Sequence, residues 1–220
     1  TYVGTVSYVK LHRNFLRMST KVKIPNVKFI LCGEDNPDNI EIESKQYDSE
    51  RFDFRGFQKD ISKVLGVTDV FAYPLNSKHF GSGEQVIIEA MYFGIPVVAF
   101  ANPAESEIIE NNVTGILVNS EEEYVKAIEY LHDHPVERQR MGQNAKAYVE
   151  NQLAPQKCFE DLNNVYKELM LMPKKEKTYF SHEEPGHIGY GDGEDLGARL
   201  LIESLGESGP EFIQSYENDS

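Results

Sequence analysis

The chain has 220 residues, with 22 Lys and Arg against 36 Asp and Glu, and a formal net charge of −14. This acidic balance argues against nucleic acid as the main partner, because phosphate backbones bind basic surfaces. No apolar run approaches the roughly 20 residues of a membrane span, and two cysteines, Cys32 and Cys158, are too few for a disulfide framework. We therefore expect a cytoplasmic protein with one large domain or one domain plus an appendage.

The charge is unevenly distributed along the chain. Residues 1–33 contain six Lys or Arg and no acid, whereas residues 171–220 contain four Lys or Arg and eleven Asp or Glu. The basic N-terminal stretch is compatible with a solvated helix surface or with a local anion site. A phosphorylated small molecule therefore remains a candidate ligand despite the acidic total.

Strand-like and helix-like stretches alternate along residues 1–172. Continuous apolar runs such as VKFILC are typical of strands that are covered on both faces. The predicted strands are Tyr2–Val6, Val27–Cys32, Phe52–Phe57, Asp69–Tyr73, Val97–Phe100 and Gly115–Val118. The predicted helices lie at 11–18, 60–65, 85–93, 105–111, 120–132, 135–151 and 155–172. This order predicts an α/β fold, a Rossmann-like six-stranded parallel sheet with helices on both faces.

Residues 173–220 have a different composition, and we predict an acidic, Gly-rich appendage that is partly flexible. The segment GHIGYGDGEDLG at 186–197 follows no strand, and its acidic side chains would repel phosphate, which argues against a phosphate cradle. A flexible linker accounts better for it. The chain opens with Thr-Tyr-Val-Gly rather than Met, and we expect it to be a fragment.

The segment most indicative of chemistry is Gly81-Ser82-Gly83-Glu84, which leads into the predicted helix 85–93. Small residues let the backbone approach a ligand, and the free N–H groups of a helix N-terminus favour an anion such as a diphosphate. Glu89, deeper in the helix, could accept two hydrogen bonds from the hydroxyls of a ribose. The alternative, a Gly-rich turn before a buried helix with Glu89 in solvent, remains open at this point.

Four motifs in the first 170 residues resemble the C-terminal, donor-binding domain of a family 4 glycosyltransferase of the GT-B fold. The strongest is EQVIIEAMYFGIPVVAF, Glu84 to Phe100, which is similar to the family's Glu-x7-Glu run and the strand after it. The segments DFRGF, DVFAYPL and NNVTGILV, which begin at Asp53, Asp69 and Asn111, resemble other family strands in the correct order.

The resemblance implies a role for several residues. Glu89 matches the carboxylate that holds the ribose hydroxyls, and Lys10 matches a Lys that pairs with phosphate. The other candidate donor-site residues are Arg13 as a substitute for a missing Arg, Gly56 and Phe57 beside the base, Gly81, Ser82, Gly83 and Glu84 at the diphosphate, and Asn102. Lys10 and Glu84 are the candidate catalytic groups. Asn102 could also simply form a turn before Pro103.

The sequence departs from the family pattern at two positions. Thr5 occupies the usual Arg position, and Gly81 occupies the position of the first Glu of Glu-x7-Glu, which in the family faces the donor sugar. These departures leave catalytic competence open and suggest that Glu84 could replace the missing carboxylate.

The function implied by the resemblance is that of the donor-binding half of a retaining glycosyltransferase. Such an enzyme transfers a sugar from a nucleoside-diphosphate sugar to an acceptor without a metal or another cofactor. The acceptor site would lie in an N-terminal domain outside this chain, so we expect the fragment to transfer no sugar. The alternatives are a non-catalytic nucleotide-binding or scaffold module and a nucleotide-sugar epimerase of the same fold. The predicted helix 155–172 has an apolar face through which copies of the chain could associate as a homo-oligomer.

Overall fold

The computed structural model describes residues 1–34, 38–79, 85–153 and 155–173. The six strands are β1 Tyr2–Val3, β2 Phe29–Cys32, β3 Phe52–Gly56, β4 Phe71–Tyr73, β5 Val97–Phe100 and β6 Gly115–Val118. The helices are α1 Phe15–Thr20, α2 Ile40–Ser44, α3 Ser62–Leu65, α4 Gln85–Tyr92, α5 Pro103–Ile108, α6 Glu121–Asp133, α7 Pro135–Gln152 and α8 Pro155–Leu171. A 3-10 turn at Ser49–Arg51 precedes β3. The predicted alternation of strands and helices is therefore observed.

The prediction of a single six-stranded sheet is wrong. The strands form two three-stranded parallel sheets, with orders β1-β2-β3 and β4-β5-β6. The two sheets adjoin at β1 and β4, where Thr1 donates its amino group to the Val70 carbonyl and accepts from the Ala72 N–H, both at 2.8 Å. Strand β1 ends at Val3, three residues earlier than predicted, and Gly4 follows with a positive φ.

Aromatic side chains fill the core beside the first sheet. The rings of Phe15, Phe29 and Phe52 are buried, and their centroids lie 5.8 to 6.2 Å apart. Tyr73 of β4 stacks on Tyr2 of β1 at 5.6 Å, which provides an apolar contact where the two sheets adjoin. Burial of such rings contributes about 2 kcal/mol each or more to folding.

The second sheet is covered on both faces. Consecutive residues of β4 and β5 are buried, whereas a strand with one solvated face would alternate. Helix α6 contacts β5 and β6, and α4 contacts β4 and β5. Helix α6 begins as predicted, because the Ser120 hydroxyl accepts a hydrogen bond from the Glu123 N–H at 3.2 Å.

The first compact unit of the chain spans Thr1–Lys167, and a second spans Glu168–Ser220. The predicted domain boundary at residue 172 stays a prediction. The described residues end at Pro173, so the rest of the predicted appendage lies outside them. Among the helices that the structure describes, none is both long and apolar enough to span a membrane.

Candidate functional site

A cavity of about 680 Å³ opens at the carboxyl ends of the strands of the first sheet. This is the edge at which parallel α/β sheets bind ligands. Its walls come from the residues that follow β1, β2 and β3 and from the first turns of α4. These residues are Gly4, Thr5, Gly33, Glu34, Phe57, Gln58, Gln85, Val86 and Glu89.

Two glycines bring the backbones of β1 and β2 close together at the cavity wall. A Cβ on Gly33 would lie 1.8 Å from the Gly4 carbonyl oxygen. Gly33 also has a φ of +146°, a backbone conformation that residues with a side chain rarely adopt. The Gly4 N–H donates to the Cys32 carbonyl and the Gly33 N–H to the Gly56 carbonyl, both at 2.9 Å. The wall is therefore made of backbone that a ligand can approach closely.

Lys10 lines the cavity and is the one cationic residue among the described lining residues. Its ammonium nitrogen lies 5.6 Å from the ring centroid of Tyr73, at the end of β4. An aromatic face attracts a cation by its quadrupole, so this contact helps to hold the side chain at the cavity.

Glu89 lies on the cavity wall formed by α4, and its side chain is exposed. The residues before it in the helix, Gln85 and Val86, line the same cavity. The N-terminal part of α4 thus faces the cavity, with Glu89 about one turn further along the helix.

Phe57 lies immediately after β3, at the carboxyl end of that strand. Its side chain is 73% exposed and lines the cavity, which is unusual for a large apolar ring. Gly56 does not line the cavity; its φ of +60° turns the chain at the end of β3, so that Phe57 follows at the cavity wall.

Arg13 is not brought to the cavity. Its guanidinium carbon lies 4.3 Å from the ring centroid of Tyr8, and the Tyr8 hydroxyl donates to Glu43 Oε2 at 2.9 Å. Burial, and then the hydrogen bond to Glu43, raise the pKa of the Tyr8 hydroxyl well above its usual range, so this hydroxyl stays a donor. Arg13 therefore belongs to a surface cluster rather than to the cavity.

Asn102 does not line the cavity either. It is buried, and its Nδ2 donates to Oε1 of the fully buried Glu105 at 3.3 Å. The same carboxylate oxygen lies 3.2 Å from Nε2 of His79, whose side chain is 5% exposed. This buried cluster could not be predicted from the sequence, because it depends on the segments after β4 and β5 meeting in the fold.

The remaining predicted residues, Gly81, Ser82, Gly83 and Glu84, lie outside the described residues. Of the ten candidate residues, the structure thus brings Lys10, Phe57 and Glu89 to one cavity. Their roles in binding stay predictions.

Residues 1–148 match the family described as Glycosyl transferases group 1. The chain belongs to this family. A Haemophilus influenzae protein described as an uncharacterized glycosyltransferase is 30% identical over 114 residues, which cover 50% of this chain and 31% of that protein. The aligned part of this group 1 chain thus spans about a third of that relative's length.

Solved glycosyltransferases share the fold of this group 1 chain. HepE of Anabaena, solved in complex with UDP, is 22% identical with a TM-score of 0.67, over 76% of this chain and 48% of HepE. The C-terminal domain of LpcC, a group 1 glycosyl transferase of Francisella tularensis, is 20% identical with a TM-score of 0.59, over 69% of this chain and 84% of that domain. The resemblance to the C-terminal domain of a GT-B glycosyltransferase is confirmed.

Proposed function

We propose that this chain is the donor-binding half of a retaining glycosyltransferase, which transfers a sugar from a nucleoside-diphosphate sugar to an acceptor. The observation that carries the proposal is the cavity at the strand ends, which has Lys10, Phe57 and Glu89 on its walls. The UDP complex of HepE, a protein of the same fold, supports a nucleotide as the ligand. Retention at the anomeric carbon is the outcome that the family resemblance implies.

In this proposal the diphosphate lies between Lys10 and the N-terminal part of α4. The ammonium group supplies a charge-assisted hydrogen bond, and the free N–H groups of the first helical turn supply further donors. As the bond from the anomeric carbon to the diphosphate breaks, negative charge grows on the leaving oxygen. The same donors then stabilise the leaving group, so transfer needs neither a metal nor another cofactor.

Glu89 and Phe57 bind the nucleoside in the same arrangement. The Glu89 carboxylate accepts hydrogen bonds from the two ribose hydroxyls, and the exposed Phe57 ring provides an apolar surface for the base. Glu34 is also on the cavity wall, and because its carboxylate would repel phosphate, this pose keeps the diphosphate away from Glu34.

Glu89→Gln tests the ribose contact. We expect the Kd for UDP to rise about tenfold, since a hydrogen bond to a charged group contributes roughly 1.5–3 kcal/mol and the amide retains part of it. Calorimetry with UDP and with its 2′,3′-dideoxy analogue separates this contact from a general loss of binding. The dideoxy analogue should bind both proteins equally, and an equal loss for both ligands would contradict the assignment.

The acceptor site belongs, in this proposal, to an N-terminal domain outside the chain. Helix α8 exposes Phe159, Leu162 and Tyr166 at 50–70% of their surface, which fits a face that such a domain would cover. A second copy of the chain is the alternative occupant of this face. We accordingly expect the 220-residue chain alone to bind the donor nucleotide weakly and to transfer no sugar.

The second candidate is a non-catalytic nucleotide-binding module. Gly81 and Thr5, which stand where the family has Glu and Arg, favour it. A nucleotide-sugar epimerase of the same fold is a further alternative. Product analysis of a full-length protein with a labelled UDP-sugar distinguishes the three. A labelled glycoside supports transfer, an epimerised UDP-sugar would support the epimerase, and unchanged donor with retained UDP binding would support the module.

A further inference from the structure

We propose that Asn76 is the positioning residue for Lys10, and this inference rests on the proposed function of Lys10 at the donor diphosphate. Lys10 lies on the loop between β1 and α1, whereas Asn76 lies in the segment after β4. No family motif that marks the site includes Asn76. Its role follows from the hydrogen bonds that join these two segments.

Asn76 holds three consecutive carbonyl groups of the Lys10 loop. Its side-chain Nδ2 donates to the carbonyl oxygens of Tyr8 at 3.0 Å and Val9 at 2.7 Å. Its backbone N–H donates to the carbonyl oxygen of Lys10 itself at 2.9 Å. One residue therefore fixes the backbone of the loop at and just before the proposed phosphate ligand.

The Asn76 side chain is itself held from the other side. Its Oδ1 accepts a hydrogen bond from the Lys78 N–H at 2.8 Å, and its carbonyl accepts from the His79 N–H at 3.2 Å. His79 in turn lies 3.2 Å from the buried carboxylate of Glu105. The orientation of the amide is thus determined by contacts within the second sheet's own loops, independently of the loop that it holds.

The Lys10 loop is held by a local turn in its middle and by contacts with other segments at its two ends. The N–H groups of Lys10 and Leu11 both bond to the Ser7 carbonyl, at 3.0 and 2.7 Å, which forms only a local turn. At its start the loop is held by Asp38, which accepts from the Ser7 hydroxyl at 2.6 Å and the Tyr8 N–H at 2.7 Å. At the Lys10 end the loop is held by Asn76 and, two residues after Lys10, by the His12 N–H, which donates to the Pro74 carbonyl at 2.8 Å.

An asparagine suits this position for a chemical reason. The amide offers two N–H donors to two carbonyl groups and one acceptor to an N–H, and all three are used. An aspartate of the same shape would place a carboxylate against the carbonyl oxygens of Tyr8 and Val9, which is repulsive. With the loop fixed before the ligand arrives, Lys10 loses less conformational freedom on binding phosphate.

Asn76→Ala tests the proposal by calorimetry of the 220-residue chain with UDP at constant ionic strength. We expect the Kd for UDP to rise about tenfold, whereas the Kd for uridine, which has no phosphate, stays unchanged. Asn76→Asp should weaken UDP binding at least as much. Asn144→Ala is the matched control: Asn144 also donates its amide to a loop carbonyl, that of Val113 at 3.2 Å, but this carbonyl does not belong to the Lys10 loop.

The double variant Lys10→Ala with Asn76→Ala shows whether Asn76 acts through Lys10. We expect its Kd for UDP to equal that of Lys10→Ala alone, because the positioned group is gone. Additive losses, a Kd of Asn76→Ala within twofold of the parent, or an equal loss for uridine would overturn the proposal. If circular dichroism shows that Asn76→Ala is unfolded, Asn76→Ser is measured in the same way, with the same outcomes.

These outcomes separate the inference from the proposed function. If the parent chain binds none of UDP, GDP and ADP, both are wrong; if it binds GDP or ADP but not UDP, the same variants are titrated with that nucleotide and its nucleoside, with the same outcomes. If the parent chain binds UDP and Lys10→Ala weakens it, while Asn76→Ala does not, the positioning role alone is wrong.

Discussion

Replacing Gly33 with alanine should lower the free energy of unfolding by about 3 kcal/mol, because alanine is strained at a positive φ and because its methyl group overpacks the contact between β1 and β2. The new methyl group would lie 1.8 Å from the Gly4 carbonyl oxygen, and Gly33 has a φ of +146°. Since both contacting atoms belong to backbone, neither can move aside without breaking the pairing of β1 with β2. Urea unfolding followed by circular dichroism measures the loss.

Gly56→Ala is the control for this experiment. Gly56 also has a positive φ, +60°, but a Cβ there would meet no atom within 4 Å. We expect a loss of about 1 kcal/mol, which is the conformational strain alone. Equal losses for the two variants would show that the close approach of β1 and β2 does not constrain position 33.

Replacing Lys10 with alanine should raise the Kd for UDP by roughly 10- to 100-fold. A hydrogen bond to a charged group contributes roughly 1.5–3 kcal/mol, and each 1.4 kcal/mol corresponds to about a factor of ten. Among the described residues that line the cavity, Lys10 is the one that can supply such a bond to phosphate from a cationic side chain. Calorimetry at two salt concentrations should also show a weaker salt dependence, because one charge contact is lost.

Two further variants make the Lys10 result specific. Lys126→Ala removes a cation from α6, away from this cavity, and should leave the Kd for UDP unchanged. Arg13→Ala tests the second cation that we predicted from the sequence to bind phosphate. Since Arg13 stacks on Tyr8 and does not line the cavity, we expect a smaller loss than for Lys10→Ala. A larger loss for Arg13→Ala would reverse the assignment.

Much of the fold could be predicted from hydrophobic pattern and turn residues. The ends of β5 and β6 agree with the prediction, since both are apolar runs with clear flanking signals. Helix α5 begins at Pro103 rather than Glu105, because Pro is favourable in the first turn, and it ends at Ile108 because Ile109 is extended. The short helix α2, Ile40–Ser44, was not predicted.

The arrangement of the sheets could not be derived in this way. Whether six parallel strands form one ladder or two depends on how β1 pairs with β4, and these two segments are 69 residues apart in the chain where they meet. The apolar Val6 continues the strand pattern in the sequence but is buried in the loop after β1. A run of apolar residues indicates that a segment is buried, but a buried segment can be either a strand or a packed loop.

The candidate site, like the fold, could be predicted only in part from the sequence. Lys10, Phe57 and Glu89 follow from the rule that ligands bind at the carboxyl ends of parallel strands and from the family spacing, and the structure places all three at one cavity. Asn76, and the pair of His79 and Glu105, could not be found from the sequence. Their contacts join segments that are distant along the chain, and only the folded loops bring them together.

The central claim is that the cavity at the strand ends binds the nucleoside diphosphate of a sugar donor. The most direct test is a calorimetric titration of the 220-residue chain with UDP, GDP and ADP in parallel. We expect saturable binding of at least one of them with one site per chain, weakened by Lys10→Ala and not by Lys126→Ala. No binding of any of the three by the folded chain would contradict it.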